Sequence, residues 1–460
     1  MMVSGVRIVQ VAGLMWLSWV WLTTNLWAQS PWQQEQLLPE PIFNGSFLLR
    51  EAGSEHKDIL LLVHGLGHEA ADIWEPFVAE LADHFHVIAP DLPGFGGSTR
   101  GNQLYSPANY AEFIHWLLGR YPDKPVYLAG HSLGGAIALT VAARYGERVE
   151  RLILINTAGT LHRLAVSQHI VRDLIRLELP FFSSAVESRL GQIAGLMLEK
   201  ASQILMEPDL VLASAAAREK FLAGDATRIA ALALVQSDFS LLLPRVRTKT
   251  WLIWGDQDQI APVRIATLLG WNLAESHLTL LSGLGHLPMS EDPQRFLTAL
   301  QQALFDRMDS NSTPSLNPQA PVDAVCDNQQ GRVFSGSFGH LQIYNCSDVL
   351  ISAAQVAQLT AVDSQVTIER SQFGNDSSQV AIQTLRSSLT LTGVDIRGSV
   401  GFQVDQSRLD LAGVRFFDVP VAVMGTGNPS SLLFSSSLKQ LDGKWLGLQM
   451  SRSLRQGESL

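Results

Sequence analysis

Between residues 41 and 309, short apolar runs alternate with segments whose apolar side chains recur at helical spacing. Strands are predicted at Asp58–His64, His86–Ala89, Val126–Ala129, Arg151–Asn156, Thr250–Trp254 and His277–Leu281, each bounded by turn-forming residues. Helical spacing is read over Trp74–Leu81, Tyr110–Leu118, Pro262–Leu269 and Pro293–Leu304. Such alternation builds a parallel sheet with helices on both faces, and ligands then sit beyond the C-terminal ends of the strands. Between Asn156 and Thr250 no strand pattern appears. Ile170–Leu179, Ile193–Leu205 and Ile229–Val235 read as helices there, broken at Pro180 and Pro208, which predicts a helical insertion over about residues 160–247.

The pattern changes after Asp309. Residues 310–322, rich in Ser, Asn and Pro, read as a linker. Beyond it, alternating apolar–polar units recur at His340–Ile343, Ser364–Ile368, Ser387–Leu391, Ser407–Leu411 and Ser430–Phe434, with starts 20 to 24 residues apart. Two units continue alike, as Thr392-Gly393-Val394-Asp395-Ile396 and Ala412-Gly413-Val414-Arg415-Phe416. A repeat of this length without helical spacing means stacked coils around an apolar column, over residues 323–460.

The chain has 460 residues, 46% hydrophobic and 17% charged, enough for two or three globular domains. A net charge of −10 with no basic block argues against nucleic acid as a partner. Residues 1–28 hold Arg7 as their one charged side chain and an almost wholly apolar run from Ile8 to Trp27. They read as an export signal, with an uncleaved membrane anchor as the alternative. Export to a periplasm or the medium, or retention at the inner membrane by that anchor, is the expected location. In an oxidising compartment a disulfide between the two cysteines, Cys326 and Cys346, is expected, with two buried thiols as the alternative.

The candidate chemistry starts at Gly130-His131-Ser132-Leu133-Gly134, between a predicted strand and a small-residue helix. A sharp strand-to-helix turn would expose Ser132 Oγ and aim the Leu133 amide at a developing oxyanion. His64-Gly65-Leu66-Gly67 follows another strand and offers the Leu66 amide as second donor. His64 and His68 are four residues apart, which puts two histidines on one face only in a helix, so no metal is expected in this glycine-rich loop. His131 is read as structural, directed away from the exposed side of the turn. Asp91, in Asp91-Leu92-Pro93-Gly94-Phe95-Gly96, is read as tying down its turn. Of the carboxylates in Gly255-Asp256-Gln257-Asp258, Asp256 sits at the strand end as a turn cap, whereas Asp258 can swing toward a histidine. That histidine is His286, in the loop Gly283-Leu284-Gly285-His286.

Together these motifs, over about Pro41 to Asp309, resemble the serine branch of the α/β-hydrolase superfamily, which includes monoacylglycerol lipases, carboxylesterases and carbon–carbon bond hydrolases. The resemblance implies an α/β fold with a helical cap, a catalytic set of Ser132, Asp258 and His286, an oxyanion hole of the Leu66 and Leu133 amides, and no cofactor. A related arrangement places the acid after the preceding strand, where this chain has Asn156 and no carboxylate. The apolar insertion suggests a small-molecule ester or thioester with an apolar acyl group; a carbon–carbon substrate is the alternative within the fold. Residues 323–460 resemble a right-handed parallel β-helix of the pectate-lyase-like kind, without its catalytic signature. They would hold the enzyme on a polymer or a protein partner, or form a stable appendage. A non-catalytic scaffold using that region is the competing reading for the whole chain.

Overall fold

The computed structural model describes residues 30–161, 208–306, 321–375 and 379–460. The expected export signal, the segments Ile170–Leu179 and Ile193–Leu205, the break at Pro180 and nearly all of the linker lie outside these residues.

The first part of the chain runs β1 (Gln34–Glu40), β2 (Gly45–Ala52), β3 (Ile59–Val63), α1 (Glu75–Ala82), β4 (His86–Pro90), α2 (Pro107–Leu118), β5 (Val126–His131), α3 (Leu133–Tyr145) and β6 (Val149–Ile155). It continues through α4 (Pro208–Ala213), α5 (Ala215–Leu222), α6 (Ala226–Gln236), β7 (Thr250–Gly255), α7 (Arg264–Asn272), β8 (Ser276–Leu281), α8 (Pro288–Glu291) and α9 (Pro293–Phe305). Eight strands form one sheet in the order β1-β2-β4-β3-β5-β6-β7-β8. From β4 through β8, neighbouring strands in that order are parallel, as the strand–helix alternation requires.

The central strands are largely apolar because helices cover both faces; every residue of β3 is buried. α3 is buried from Leu133 through Ala142, with alanine and glycine letting it lie close to the sheet. The sheet starts earlier than expected, since β1 precedes residue 41 and pairs antiparallel with β2. Polar residues and exposed positions on this edge hide it from a search for apolar runs. Pro208 is the first described residue of α4.

The second part is the expected stack: β9 (Val322–Asp327), β10 (Val333–Tyr344), β11 (Val349–Val362), β12 (Gln365–Phe373), β13 (Val380–Leu385), β14 (Ser388–Ile396), β15 (Val400–Asp405), β16 (Arg408–Ala412), β17 (Arg415–Phe417), β18 (Val421–Gly425), β19 (Ser430–Leu441) and β20 (Lys444–Leu454). Parallel ladders run through β10-β11-β12-β14-β16-β19 and through β11-β13-β15-β18. Register places Ile351, Ile368 and Leu391 one above another, and Leu411 and Phe434 continue the buried column. Inward serines stitch the turns, with Ser364 Oγ accepting from the Cys346 amide and Ser387 Oγ from the Ser364 amide, at 3.0 Å each. The first coil is closed by a disulfide between Cys326 and Cys346, both buried. At the far end β20 turns back antiparallel on β19, which the repeat did not foretell.

Candidate active site

The loop ends of β3, β5, β6, β7 and β8 converge. Ser132 stands between β5 and α3 with φ +53° and ψ −114°, a conformation that costs on the order of 1–3 kcal/mol and needs its surroundings to enforce it. Space for this turn comes from glycine. A Cβ at Gly130 would lie 2.2 Å from the Gly134 carbonyl oxygen, and one at Gly134 would lie 2.1 Å from that of Val63. Ser132 itself is 6% exposed.

His286 Nε2 lies 3.0 Å from Ser132 Oγ, and His286 Nδ1 lies 2.7 Å from Asp258 Oδ2. A carboxylate can only accept, so Nδ1 carries the proton and Nε2 offers its lone pair to the serine hydroxyl. Asp258 Oδ1 accepts from the Ile260 and Ala261 amides at 2.8 Å each, and its Oδ2 also accepts from Asn156 Nδ2 at 2.6 Å. Burial alone would raise the Asp258 pKa. The adjacent His286 and the hydrogen bonds from His286, Asn156 and Ala261 outweigh burial and hold the carboxyl below its usual range. Asp256 accepts instead from the Gly283 amide at 2.7 Å, bracing the loop that carries His286.

Leu133 is the first residue of α3, so its amide belongs to a helix N-terminus beside Ser132. The Leu66 loop is pressed on Ser132: a Cβ at Gly65 would lie 3.0 Å from Ser132 Cβ. His64 holds that loop, with Nδ1 donating to the Gly65 carbonyl at 2.8 Å and Nε2 accepting from the Leu92 amide at 2.9 Å. Both ring nitrogens are thereby engaged in hydrogen bonds. Asp91 ties its turn through the Gly97 amide at 2.8 Å and also meets Arg50 at 2.7 Å.

Two residues have partners in this geometry that the sequence did not indicate. Asn156, buried with φ +42°, donates from Nδ2 to Asp258 and to the Gly285 carbonyl at 3.2 Å, joining the ends of β6, β7 and β8. It fills the position where the related arrangement carries its acid; a polar residue at a strand end was the available signal. Asn156→Ala leaves a buried carboxylate oxygen short of a donor, worth about 1–3 kcal/mol. The variant is expected to melt earlier and to lose about tenfold in kcat through a less fixed histidine, measured by calorimetry and ester turnover.

His131 is buried, consistent with its structural reading, and its ring faces the His286 loop. Its Nε2 donates to the His286 carbonyl at 2.8 Å, and the two rings lie 5.0 Å apart. Burial, then the neighbouring His286, pushes its pKa down to about 3. The unfolded chain therefore takes up a proton below about pH 6.5 that the folded chain refuses, so stability present above that pH is lost as pH falls toward 3. Melting temperature is expected to drop across this window, and to drop less in His131→Gln, which keeps a donor and does not titrate.

A family profile described as the alpha/beta hydrolase fold matches residues 58–197. An uncharacterized protein of Mycobacterium tuberculosis is 31% identical over 281 residues, covering 58% of this chain and 79% of its own length. The chain belongs to the α/β-hydrolase superfamily. Within that superfamily, a monoacylglycerol lipase of Homo sapiens is 26% identical over 254 residues, covering 52% of this chain and 73% of its own. Among solved structures, a hydrolase from Pseudomonas aeruginosa PA01 aligns with a TM-score of 0.45 and 24% identity, over 60% of this chain and 99% of that one. Among the described residues, no group of three or more His, Cys, Asp or Glu side chains is placed to hold a metal ion.

Proposed function

We propose that this α/β-hydrolase is an exported serine hydrolase that cleaves carboxylic or thiol esters of apolar acids through an acyl-enzyme. The observation that carries the reading is the unbroken hydrogen-bond line from Asp258 through His286 to Ser132 at the top of the sheet. In the first step Ser132 Oγ attacks the acyl carbonyl as His286 Nε2 takes its proton. Asp258 keeps the imidazole in the required tautomer and stabilises the imidazolium. The Leu66 and Leu133 amides hold the oxyanion, and collapse expels the alcohol or thiol, which takes the proton from His286. Water, deprotonated by His286, then attacks the acyl-enzyme and releases the acid.

The acyl preference rests on the apolar insertion and on likeness to a relative named as a monoacylglycerol lipase. Export rests on the N-terminal apolar segment and is supported by the disulfide, which persists in oxidising compartments. The test is turnover of p-nitrophenyl esters from acetyl to palmitoyl by the purified protein, with fluorophosphonate labelling of Ser132. A chain-length optimum with labelling supports the reading. Absence of both across the series would overturn it.

A further inference from the structure

The like pair Thr392-Gly393-Val394-Asp395-Ile396 and Ala412-Gly413-Val414-Arg415-Phe416 has no part in the chemistry above. In the stack these segments lie on consecutive coils, with Thr392 over Ala412 and Asp395 over Arg415. The turn position between them runs through Ala353, Arg370, Gly393, Gly413 and Ser436, all with φ between +43° and +62°. Ala353, Arg370 and Ser436 show that this backbone accepts side chains. Glycine at 393 and 413 therefore answers a different demand.

The demand is α7. A Cβ at Gly393 would lie 2.7 Å from Trp271 Cβ, and one at Gly413 would lie 2.7 Å from Leu268 Cγ and 2.6 Å from Asn272 Nδ2. Polar groups lock the same contact. Arg264 donates to both carboxylate oxygens of Asp410 at 2.8 and 2.9 Å, to Thr392 Oγ1 at 2.8 Å and to the Leu391 carbonyl at 3.0 Å. Trp271 Nε1 donates to Asp395 at 2.9 Å, and Asn272 Nδ2 to the Gly413 carbonyl at 3.1 Å. Ala412 and Leu433 of the stack belong to the same apolar cluster as Leu268 and Trp254 of the hydrolase fold.

The next rung, Ser436, donates to the Thr160 carbonyl at 2.6 Å, on the stem leaving β6 for the insertion. On the returning stem, Ser240 Oγ lies 2.3 Å from where a Cβ on Gly447 of β20 would be. The stack thus touches the helix that follows the Asp258 loop and both stems of the insertion. We propose that this turn ladder is a built seat, and that the stack braces the acid loop and cap stems rather than hanging as an independent appendage. The kinetic part of this proposal rests on the ester-hydrolase reading; the docking part does not.

Gly413→Leu tests it in the full chain against Arg370→Leu, the same backbone conformation at an exposed rung. The wild type is expected to unfold in one calorimetric transition. Gly413→Leu should split that transition and lower kcat/KM about tenfold or more, while Arg370→Leu changes neither. If Gly413→Leu does not fold, Asp410→Asn serves: its melting point should fall by several degrees, and Arg264→Met should cost much less in the Asp410→Asn background than in the wild type, because the two share one contact. Two independent transitions in the wild type, or seat variants with unaltered melting and kcat/KM, would overturn the brace. Absence of wild-type turnover and labelling would overturn only the hydrolase reading, since the transitions are counted without activity.

Discussion

Ser132→Ala is expected to lower kcat for ester hydrolysis by about 10⁴-fold or more, because in the proposed mechanism nucleophile, base and acid act as one unit. The substitution removes only Oγ, which points at His286 Nε2 and makes none of the contacts that hold the turn. The Ser132 amide still donates to the Ile155 carbonyl at 3.0 Å, and its carbonyl still accepts from the Gly135 and Ala136 amides at 3.1 and 3.2 Å. Melting temperature and KM should therefore change little while turnover collapses. The measurement is turnover on the best ester of the series beside a thermal melt. A variant retaining more than a tenth of wild-type kcat would show that another group forms the acyl-enzyme.

Asp258→Asn is expected to cost about 10³- to 10⁴-fold in kcat, and the reason lies in the donors around it. The Ile260 and Ala261 amides at Oδ1 require an acceptor there. The asparagine must keep its oxygen on that side, which turns its NH₂ toward His286 Nδ1 and Asn156 Nδ2. Nδ1 must then accept, so the imidazole carries its proton on Nε2 and presents N–H, not a lone pair, to Ser132. The NH₂ also faces the NH₂ of Asn156, which removes a hydrogen bond. Asp256→Asn is the control: it keeps an acceptor for the Gly283 amide and should hold kcat within about twofold. Equal losses in the two variants would move the acid's role away from Asp258.

Much of this was legible in the chain. Strand–helix alternation determined a parallel sheet, and glycines around Ser132 marked a turn that only small neighbours permit. The 20- to 24-residue repeat determined a stack with an apolar column. In each case the signal is local, because period and turn chemistry act over a few residues. β1 escaped because an edge strand with exposed positions buries too little to leave a pattern. The partners of Asn156 and His131 escaped because they lie 102 and 155 residues away, across loops that meet only when the sheet closes. Tertiary structure alone decided those partnerships. It also decided why Gly393 and Gly413 are glycines: φ at that rung tolerates alanine, arginine and serine elsewhere, and only the approach of Leu268, Trp271 and Asn272 from the other half of the chain excludes a side chain.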